Sequence, residues 1–476
     1  MKTKKLLFLL LSVVFIGTSC SSDDDNSMPS TPPSQKNIVE LAVDTPELST
    51  LVDALSRADG NLVSVLSGDG PFTVLAPTND AFSSFLTANG FNSVNEVPSD
   101  VLSQILLNHV IMADVESSDL ITMGSGYTSG SATGAGGNNI SIYFDTSNGV
   151  TFNNSGMVTT ADIEASNGII HVIDGVLGLP DVVSHAANNP VFSSLVAALG
   201  AADGNLVSVL QGDGPFTVLA PNNNAFDVFL DGASLGDVDT AVLSQILLNH
   251  VIAGSAISSE TLVNNSAGYT NTAATGAGGN NMSLYYNTND GVTFNGISTV
   301  FQADVVGTNG IIHAVDTVID IPTVVTFATA DPNFSTLVSA LTELTPGTDF
   351  ASILSRTEGG NGDGINPDFT VFAPTNAAFD ALIDNLGGLP DESTLTTVLL
   401  YHVAGNANVT SGDLNTGANP VTSLQGGSFT VNLPGTGSNI ADITDGSGAT
   451  DIGIIAVDVQ AGNGVIHALN KVMLPN

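Results

Sequence analysis

Three landmarks that recur three times in one order constrain this 476-residue chain most strongly. The first is a run of the type Phe-Thr-Val-Leu/Phe-Ala-Pro, at residues 72–82, 216–226 and 369–379. The second, Leu-Leu-Asn/Tyr-His-Val, contains His109, His250 and His402, and the third, Asn-Gly-Ile/Val-Ile-His, contains His171, His313 and His467. The spacing between landmarks is nearly constant, so the chain holds three copies of one domain of roughly 140 to 150 residues.

Within one copy, helix signals come first and strand signals follow. Pro46 suits the first position of a helix, and the β-rich run at 72–75 ends at Pro77. Thr78 or Asn79 is the expected cap of the next helix and Ser99 that of the one after it, which would carry His109 on its apolar face. The later apolar runs, at 140–144, 150–152 and 169–173, are typical of strands.

This order predicts an α+β fold of three tandem domains. Each domain is expected to be a largely antiparallel β-sheet wedge or sandwich with helices packed on it. The expected boundaries are 37–180, 181–322 and 323–476, with seams near Pro180 and Pro322. Almost no linker separates the copies, so the domains should abut closely.

Charge excludes one large class of partners. The chain has 46 acidic and only 7 Lys or Arg residues, for a formal net charge of −39. Binding to a phosphate backbone requires clustered cations, so nucleic acid is excluded as a partner. An anionic membrane surface would also repel the chain, so membrane attachment has to be covalent or hydrophobic.

Residues 1–20 have the pattern of an export signal. Three lysines precede an apolar run at 6–16 that is too short to span a bilayer, and small residues then lead to Cys20, the one cysteine. The arrangement resembles a bacterial lipoprotein signal, in which this cysteine is lipidated and becomes the N-terminus. The alternative is an ordinary cleaved signal that leaves a free thiol.

Residues 21–36 are rich in Asp, Ser and Pro and predict a flexible tether. An acidic run directly after the lipidated cysteine is similar to the surface-export signal of some Bacteroidetes lipoproteins. The expected location is therefore the outer membrane, with display on the cell surface. The periplasmic face, with residues 21–36 as a merely solvated linker, is the alternative.

The landmarks resemble the two motifs of the fasciclin (FAS1) family. Residues 369–379 match the first motif throughout, while Leu75 and Leu219 replace its second Phe in the other copies. The second motif is met at 167–174, 309–316 and 463–470, and the Tyr-His element between the motifs is intact only as Tyr401–His402. The resemblance covers about residues 37–476 and implies three FAS1 domains.

The family's role is adhesion and contact with extracellular matrix, and an Asp-Ile dipeptide ahead of the second motif is implicated in cell binding. The resemblance therefore implies binding positions nine residues before the third-landmark histidine of each copy. These are Asp162–Ile163, Asp304–Val305 and Asp458–Val459, with Tyr401 and His402 as further candidates in the third copy.

The histidines favour a structural role over a chemical one. His109 shares an apolar face with its neighbours and His171 lies inside an apolar strand, as expected for imidazoles hydrogen-bonded in a core. The same reasoning covers His250, His313 and His467. A role at a binding edge is the alternative, and metal ligation is disfavoured because no third ligand stands at a suggestive spacing.

Two types of loop have compositions that could indicate ligand-binding sites. The glycine-rich segments 132–139 and 274–281 lack a dinucleotide fingerprint and a P-loop lysine, so a hairpin or wide turn is expected. The acidic loop 358–368 could hold Ca²⁺ through Asn361, Asp363 and Asp368, although its spacing is not that of an EF-hand. A solvated loop is the alternative, and no other cofactor is indicated.

Catalytic signatures are lacking in the sequence. It contains no Gly-x-Ser-x-Gly and no His-Glu-x-x-His, and nothing marks a catalytic pair among the acids. We therefore expect a non-enzymatic surface adhesion protein that contacts an extracellular polysaccharide, a matrix or a cell surface. The alternatives are a spacer protein of the envelope without a defined ligand and, last, an enzyme acting on extracellular glycans or peptides.

Overall fold

The computed structural model describes residues 35–476. The signal peptide, Cys20 and most of the expected tether lie outside the described residues. Each domain repeats one plan, in which the helices are concentrated in the first half of the domain and five of the seven strands follow them. Domain 1 comprises α1 (Ile38–Asp44), α2 (Ser49–Arg57), α3 (Leu62–Leu66), α4 (Asn79–Ala88), α5 (Ser99–Leu107) and α6 (Ser117–Met123), with β1 (Phe72–Pro77), β2 (Val110–Ile111), β3 (Ser125–Thr133), β4 (Asn139–Asp145), β5 (Thr151–Phe152), β6 (Gly156–Ala165) and β7 (Gly168–Ile173).

Domain 2 repeats this plan. It comprises α7 (Val182–Asn188), α8 (Ser193–Ala201), α9 (Leu206–Leu210), α10 (Asn223–Leu230), α11 (Thr240–Leu248) and α12 (Ser259–Asn265), with β8 (Phe216–Pro221), β9 (Val251–Ala253), β10 (Ala267–Thr275), β11 (Asn281–Asn287), β12 (Thr293–Phe294), β13 (Ser298–Val306) and β14 (Gly310–Val315).

Domain 3 has a short 3₁₀ turn, Ser411–Asp413, where the other copies have a sixth helix. It comprises α13 (Val324–Ala330), α14 (Ser335–Thr342), α15 (Phe350–Leu354), α16 (Asn376–Leu386) and α17 (Glu392–Tyr401), with β15 (Phe369–Pro374), β16 (Val403–Gly405), β17 (Gly417–Thr422), β18 (Ser428–Leu433), β19 (Ala441–Thr444), β20 (Ile452–Ala461) and β21 (Gly464–Leu469).

Each domain is built on one seven-stranded sheet, and the α+β prediction is confirmed. In domain 1 the strand order is β2-β1-β7-β6-β5-β4-β3, and the other domains repeat it. All neighbours are antiparallel except β1 and β7, which run parallel, as do their counterparts. The first and third landmarks are therefore adjacent parallel strands in the interior of each sheet.

Strand β1, which contains the first landmark, is buried on both faces, and this burial explains its continuous apolar sequence. Phe72, Val74 and Ala76 pack with the helices, while Leu75 joins a second cluster with Phe144 on the opposite face. Domains 2 and 3 have the same pair of clusters. The core of each domain thus lies in two layers, on either side of the first landmark.

The Asn-Gly of the third landmark connects the sheet to three other segments. The Asn167 side chain accepts from the Ile38 amide and donates to the Leu66 and Gly68 carbonyls, so it joins α1 to the end of α3. Gly168 follows, with φ +151, and an added Cβ would lie 1.9 Å from the carbonyl oxygen of Phe72. Glycine is required here because the two parallel strands approach so closely.

Two details of the helix predicted around residues 99–109 were wrong. Pro98, not Ser99, occupies the N-cap position of α5, and the Ser99 hydroxyl instead donates to the Asp59 carboxylate. The helix ends at Leu107, so His109 follows the C-cap residue rather than lying on the helical face. Its imidazole still turns into the core, because its backbone leads directly into β2.

Domains 1 and 2 contact through the bulged strand β13 of domain 2 and strand β4 of domain 1. The Val306 amide donates to the Ser141 hydroxyl at 3.0 Å, and the Ala135 amide donates to the Gly307 carbonyl at 2.9 Å. The Thr308 amide donates to the Pro180 carbonyl at 2.8 Å. We call this contact the 1–2 joint; backbone hydrogen bonds of this kind fix the domains against each other.

An equivalent contact, the 2–3 joint, connects domains 2 and 3. The Gln460 amide donates to the Ser283 hydroxyl at 3.0 Å, and the Gly462 amide donates to the Pro322 carbonyl at 2.7 Å. The glycine-rich segments expected to be simple turns lie at these joints. An added Cβ on Gly276 would lie 2.3 Å from the Ala461 carbonyl oxygen, so the close contact requires glycine.

Candidate functional site

The histidines of the second landmark are buried and hold chain segments together. The Nδ1 of His109 donates to the Ile105 carbonyl at 2.7 Å, and its Nε2 accepts from the Leu177 amide at 2.9 Å. His250 and His402 make the same pair of contacts. Burial lowers the pKa of all three to about 4, so each is a neutral imidazole whose two nitrogens are both occupied.

The histidines of the third landmark support the candidate binding aspartates. The Nε2 of His171 donates to the Val115 carbonyl at 2.8 Å, and its Nδ1 accepts from the Asp162 amide at 3.2 Å. His313 and His467 contact Asp304 and Asp458 in the same way. These buried histidines thus hold the backbone of each aspartate in place.

The three aspartates share an unusual backbone conformation. Asp162, Asp304 and Asp458 have φ values of 56°, 58° and 63°, at a bulge where the strand shifts register. Aspartate tolerates this left-handed conformation better than most residues. Asp162 therefore lies within β6, at the bulge of this strand.

Each aspartate carboxylate accepts two hydrogen bonds from one serine. The Ser117 amide donates to Asp162 at 2.8 Å and its hydroxyl donates to the second oxygen. Burial raises the pKa of Asp162, but the hydrogen bonds from Ser117 outweigh it and hold the pKa below its usual value. The side chain is still 42% exposed, so a partner can reach this carboxylate.

The apolar member of each dipeptide points inward. Ile163 and Val459 are half-buried and pack against the helical core of their domains, and Val305 is only 1% exposed. Direct contact between a partner and Val305 is therefore contradicted, because the residue belongs to the core. Of the family-implied dipeptides, the aspartates are the accessible members.

Tyr401 and His402 are also contradicted as contact residues. They are 1% and 2% exposed, and the Tyr401 hydroxyl donates to the Ser428 carbonyl across the core. In the first two copies the position of Tyr401 is an asparagine, and Asn108 likewise donates to a carbonyl, that of Gly178. The Tyr-His element therefore holds the fold together and is not a surface.

Two of the aspartates line surface grooves. Asp162 lies in a groove of about 680 Å³ on domain 1, beside Asp114, Glu116 and Glu164. Asp458 lies in a groove of about 910 Å³ between domains 2 and 3. We call the groove between domains 2 and 3 the joint groove. It brings Asp458, a binding position implied by the family resemblance, next to side chains of domain 2.

The acidic loop presents its candidate calcium ligands already engaged. Arg356 donates to both carboxylate oxygens of Asp363, at 2.9 and 2.8 Å. The Asn361 amide group donates to Glu358 and Asn366. A calcium ion on Asn361, Asp363 and Asp368 would have to displace Arg356 from the Asp363 carboxylate. Calcium binding at this loop stays a proposal. Within residues 35–476 no group of three or more His, Cys, Asp or Glu residues is placed to hold a metal.

Sequence reasoning missed His185 and the tyrosines of the joints. His185 is fully buried at the 1–2 joint, where its Nε2 donates to the Val306 carbonyl and its ring packs against Tyr127. At the 2–3 joint the matching pair is Phe327 and Tyr269. The signal was present, because Tyr127 and Tyr269 recur in register while domain 3 has Asn419 there.

Comparison with known proteins gives one consistent result. A family model, Fasciclin domain, matches residues 46–180, 190–322 and 332–475. Human periostin is 28% identical over 440 residues, covering 90% of this chain and 46% of periostin. Pig transforming growth factor-beta-induced protein ig-h3 is 28% identical over 449 residues, covering 92% of this chain and 58% of that protein. The chain thus spans about half the length of these relatives.

Among solved structures, a FAS1 domain pair from the insect cell adhesion molecule fasciclin I matches with a TM-score of 0.36 and 18% identity. The match covers 57% of this chain and 96% of that one. None of the helices in residues 35–476 has the length and apolar character needed to cross a membrane.

Proposed function

Because this chain belongs to the fasciclin domain family, with three tandem copies, we propose that it is a lipid-anchored adhesion protein outside the cytoplasm. Its modules contact extracellular polysaccharide, matrix or cell-surface partners. The observation that carries the proposal is the array itself: three domains of a type typical of adhesion and extracellular proteins, joined without flexible linkers. Several weak contacts on one such array bind more strongly than one contact alone.

The anchor and the location rest on the sequence. Cys20 follows an export signal and precedes an acidic tether, which supports lipidation at the outer membrane and display on the cell surface. The formal charge of −39 opposes direct association with anionic lipids, so the N-terminal lipid would be the membrane contact. Proteolysis of intact cells tests the display, because a protein on the periplasmic face would be protected.

The candidate contact residues are the three aspartates. Their carboxylates are between 37% and 42% exposed, whereas their backbone is held by histidine. This combination presents an acceptor group in a fixed position, as a binding site requires. We therefore assign partner contact to Asp162, Asp304 and Asp458, and no catalytic role to any residue.

A spacer function is the second candidate, and the two joints favour it. Hydrogen bonds from backbone amides to serine hydroxyls and to carbonyls cross each joint and restrain the domains, as suits a protein that holds something at a distance from the membrane. A spacer would need no ligand. The two functions separate in one assay, because only the adhesion protein depends on its surface residues.

Attachment of cells to surfaces tests the proposal. A deletion strain should attach less to a panel of coated surfaces, and wild-type protein should restore attachment. A Cys20→Ser variant should be released from the membrane and fail to restore it. Equal attachment by deletion and wild-type strains on every surface would reject adhesion. Restoration by a triple Asp→Asn variant at 162, 304 and 458 would reject the aspartate sites and favour the spacer.

A further inference from the structure

The joint groove is built from two domains and lies open to solvent. Domain 2 contributes Tyr269, Asn271 and Tyr285 from β10 and β11, and domain 3 contributes Asn333, Ile455 and Asp458. Its volume of about 910 Å³ falls in the range of roughly 300–1,000 Å³ that is common for ligand sites. Clefts between domains are a preferred place for such sites.

The aromatic wall of the groove is fixed in position. The rings of Tyr269 and Tyr285 pack with their centroids 5.1 Å apart, and Tyr269 also packs on Phe327. The Tyr269 hydroxyl donates to the buried Asp331 carboxylate at 3.0 Å, which raises the pKa of the phenol together with burial. The rings therefore need no rearrangement before a ligand binds, which lowers the entropic cost of binding.

The domain 3 side of the groove presents an exposed apolar residue, and domain 2 has an exposed apolar residue at the same register position. Ile455 is 42% exposed, and the residue in register with it in domain 2 is Phe301, which is 52% exposed. In domain 1 the residue in this register is Thr159. The exposed apolar side chain thus occurs in the two copies that follow another copy in this chain, as expected if it serves the groove.

The polar groups of the groove are neutral or acidic. Asn271, Asn333 and Thr375 supply amide and hydroxyl groups, and Asp331 and Asp458 supply carboxylates. The groove lining includes no Lys or Arg, and residues 181–322 contain none. An anionic ligand would find no countercharge here and would be repelled by both carboxylates.

We propose that the joint groove binds a neutral carbohydrate chain. Each sugar hydroxyl both donates and accepts, which matches a mixture of amides, hydroxyls and carboxylates. The apolar faces of sugar rings pack well on aromatic and aliphatic side chains such as Tyr269 and Ile455. This inference rests on the proposed adhesive function and specifies its ligand class. Uronic-acid and sulfated polymers are excluded by charge, and a peptide is the competing occupant.

Affinity electrophoresis of the purified full-length chain tests the inference. The probes are soluble neutral polymers, namely a glucan, a mannan and a galactan, with alginate, a sulfated galactan and a gelatin peptide digest for comparison. We expect retardation by at least one neutral polymer and by none of the others. The combined variant Asn271→Ala with Ile455→Thr should weaken that retardation about tenfold or more, with an unchanged melting temperature, because both side chains are exposed.

Asn289→Ala is the matched control. Asn289 is an exposed asparagine in a turn of domain 2, outside the groove, and its replacement should leave retardation unchanged. Binding only to acidic polymers or peptides, or equal neutral-polymer binding by the groove variant, would overturn the inference. If no polymer binds but the protein still restores cell attachment, the groove proposal fails and adhesion stands. If the groove binds but deletion leaves attachment unchanged, adhesion fails and the groove stands.

Discussion

His185 lies at the contact between the first two domains and differs in kind from its counterparts. Domain 3 has Phe327 at this position, packed on Tyr269 as His185 is packed on Tyr127. The Nδ1 atom of His185 is buried without a hydrogen-bond partner. Burial lowers its pKa to about 4, so we expect protonation of this imidazole in acid to weaken the 1–2 joint.

The first prediction concerns His185→Phe and pH. An unfolded histidine takes up a proton near pH 6.5, whereas buried His185 resists protonation down to about pH 4, so its contribution to stability is present above pH 6.5 and is lost as the pH falls towards 4. Between pH 7.5 and 5 this loss is about 2 kcal/mol for one such histidine. Chemical denaturation should show a smaller acid loss for the variant than for wild type. Identical pH profiles would contradict the burial of this imidazole.

The second prediction concerns Asp162, whose carboxylate holds Ser117 and is one of our proposed contact sites. Asp162→Ala should lower ligand binding, and it should also cost about 1–3 kcal/mol because Ser117 loses a charged acceptor. Asp162→Asn keeps one oxygen for the Ser117 amide and should retain more of the stability. Thermal unfolding and attachment assays of both variants separate the roles. Wild-type binding by the alanine variant would exclude Asp162 as a contact.

The third residue prediction concerns His171. His171→Ala should lower the melting temperature, because the Val115 carbonyl and the Asp162 amide both lose a buried partner. The cost should be about 1–3 kcal/mol or more. Differential scanning calorimetry measures it, and an unchanged melting temperature would mean that these contacts contribute nothing.

At the scale of elements, the glycine-rich turns have a function that their composition did not reveal. Their expected hairpin geometry is correct in outline, since each precedes a strand, but their tips contact the next domain. Domain 3 has the shorter turn around Gly426 at the same place. The long form of the turn thus occurs in the two copies whose turns contact the next copy in this chain.

The fourth prediction tests this role with Gly276→Ala. The added methyl would lie 2.3 Å from the Ala461 carbonyl oxygen, so the 2–3 joint must open or shift at a cost of about 1–3 kcal/mol. Gly178→Ala is the control, because nothing lies within 4 Å of its Cβ position. Limited proteolysis near residue 322 should be faster for Gly276→Ala alone. Equal cleavage of both variants would show that the turn does not secure the joint.

Element positions were predictable where short-range patterns set them. The first strand, the helix after Thr78 and the strand that follows Asn167 all lie where the sequence indicated. Strands β3 and β6 escaped prediction because their residues alternate weakly and are largely exposed. The one parallel pair in each sheet was also missed, since strand direction depends on topology rather than on local composition.

At the scale of the whole molecule, the joints turn three domains into one stiff array. The fifth prediction is that Tyr269→Asn, which copies Asn419 of domain 3, loosens the 2–3 joint because the contacts with Phe327 and Asp331 are lost. Small-angle scattering should then show a broader distribution of domain positions, with each domain still folded by circular dichroism. Scattering identical to wild type would mean that the backbone hydrogen bonds at the joint suffice.

The sequence by itself determined the three repeats, the strands of the first and third landmarks, and the burial of the landmark histidines. These features depend on apolar runs and Asn-Gly turns, which act over only a few residues. The accessible aspartates, the buried Val305 and Tyr401, and both joints depended on the tertiary structure. The joint hydrogen bonds connect residues 165 and 177 positions apart, Val306 to Ser141 and Gln460 to Ser283. No local pattern specifies such partners, because they meet only after each sheet has closed and the domains have packed.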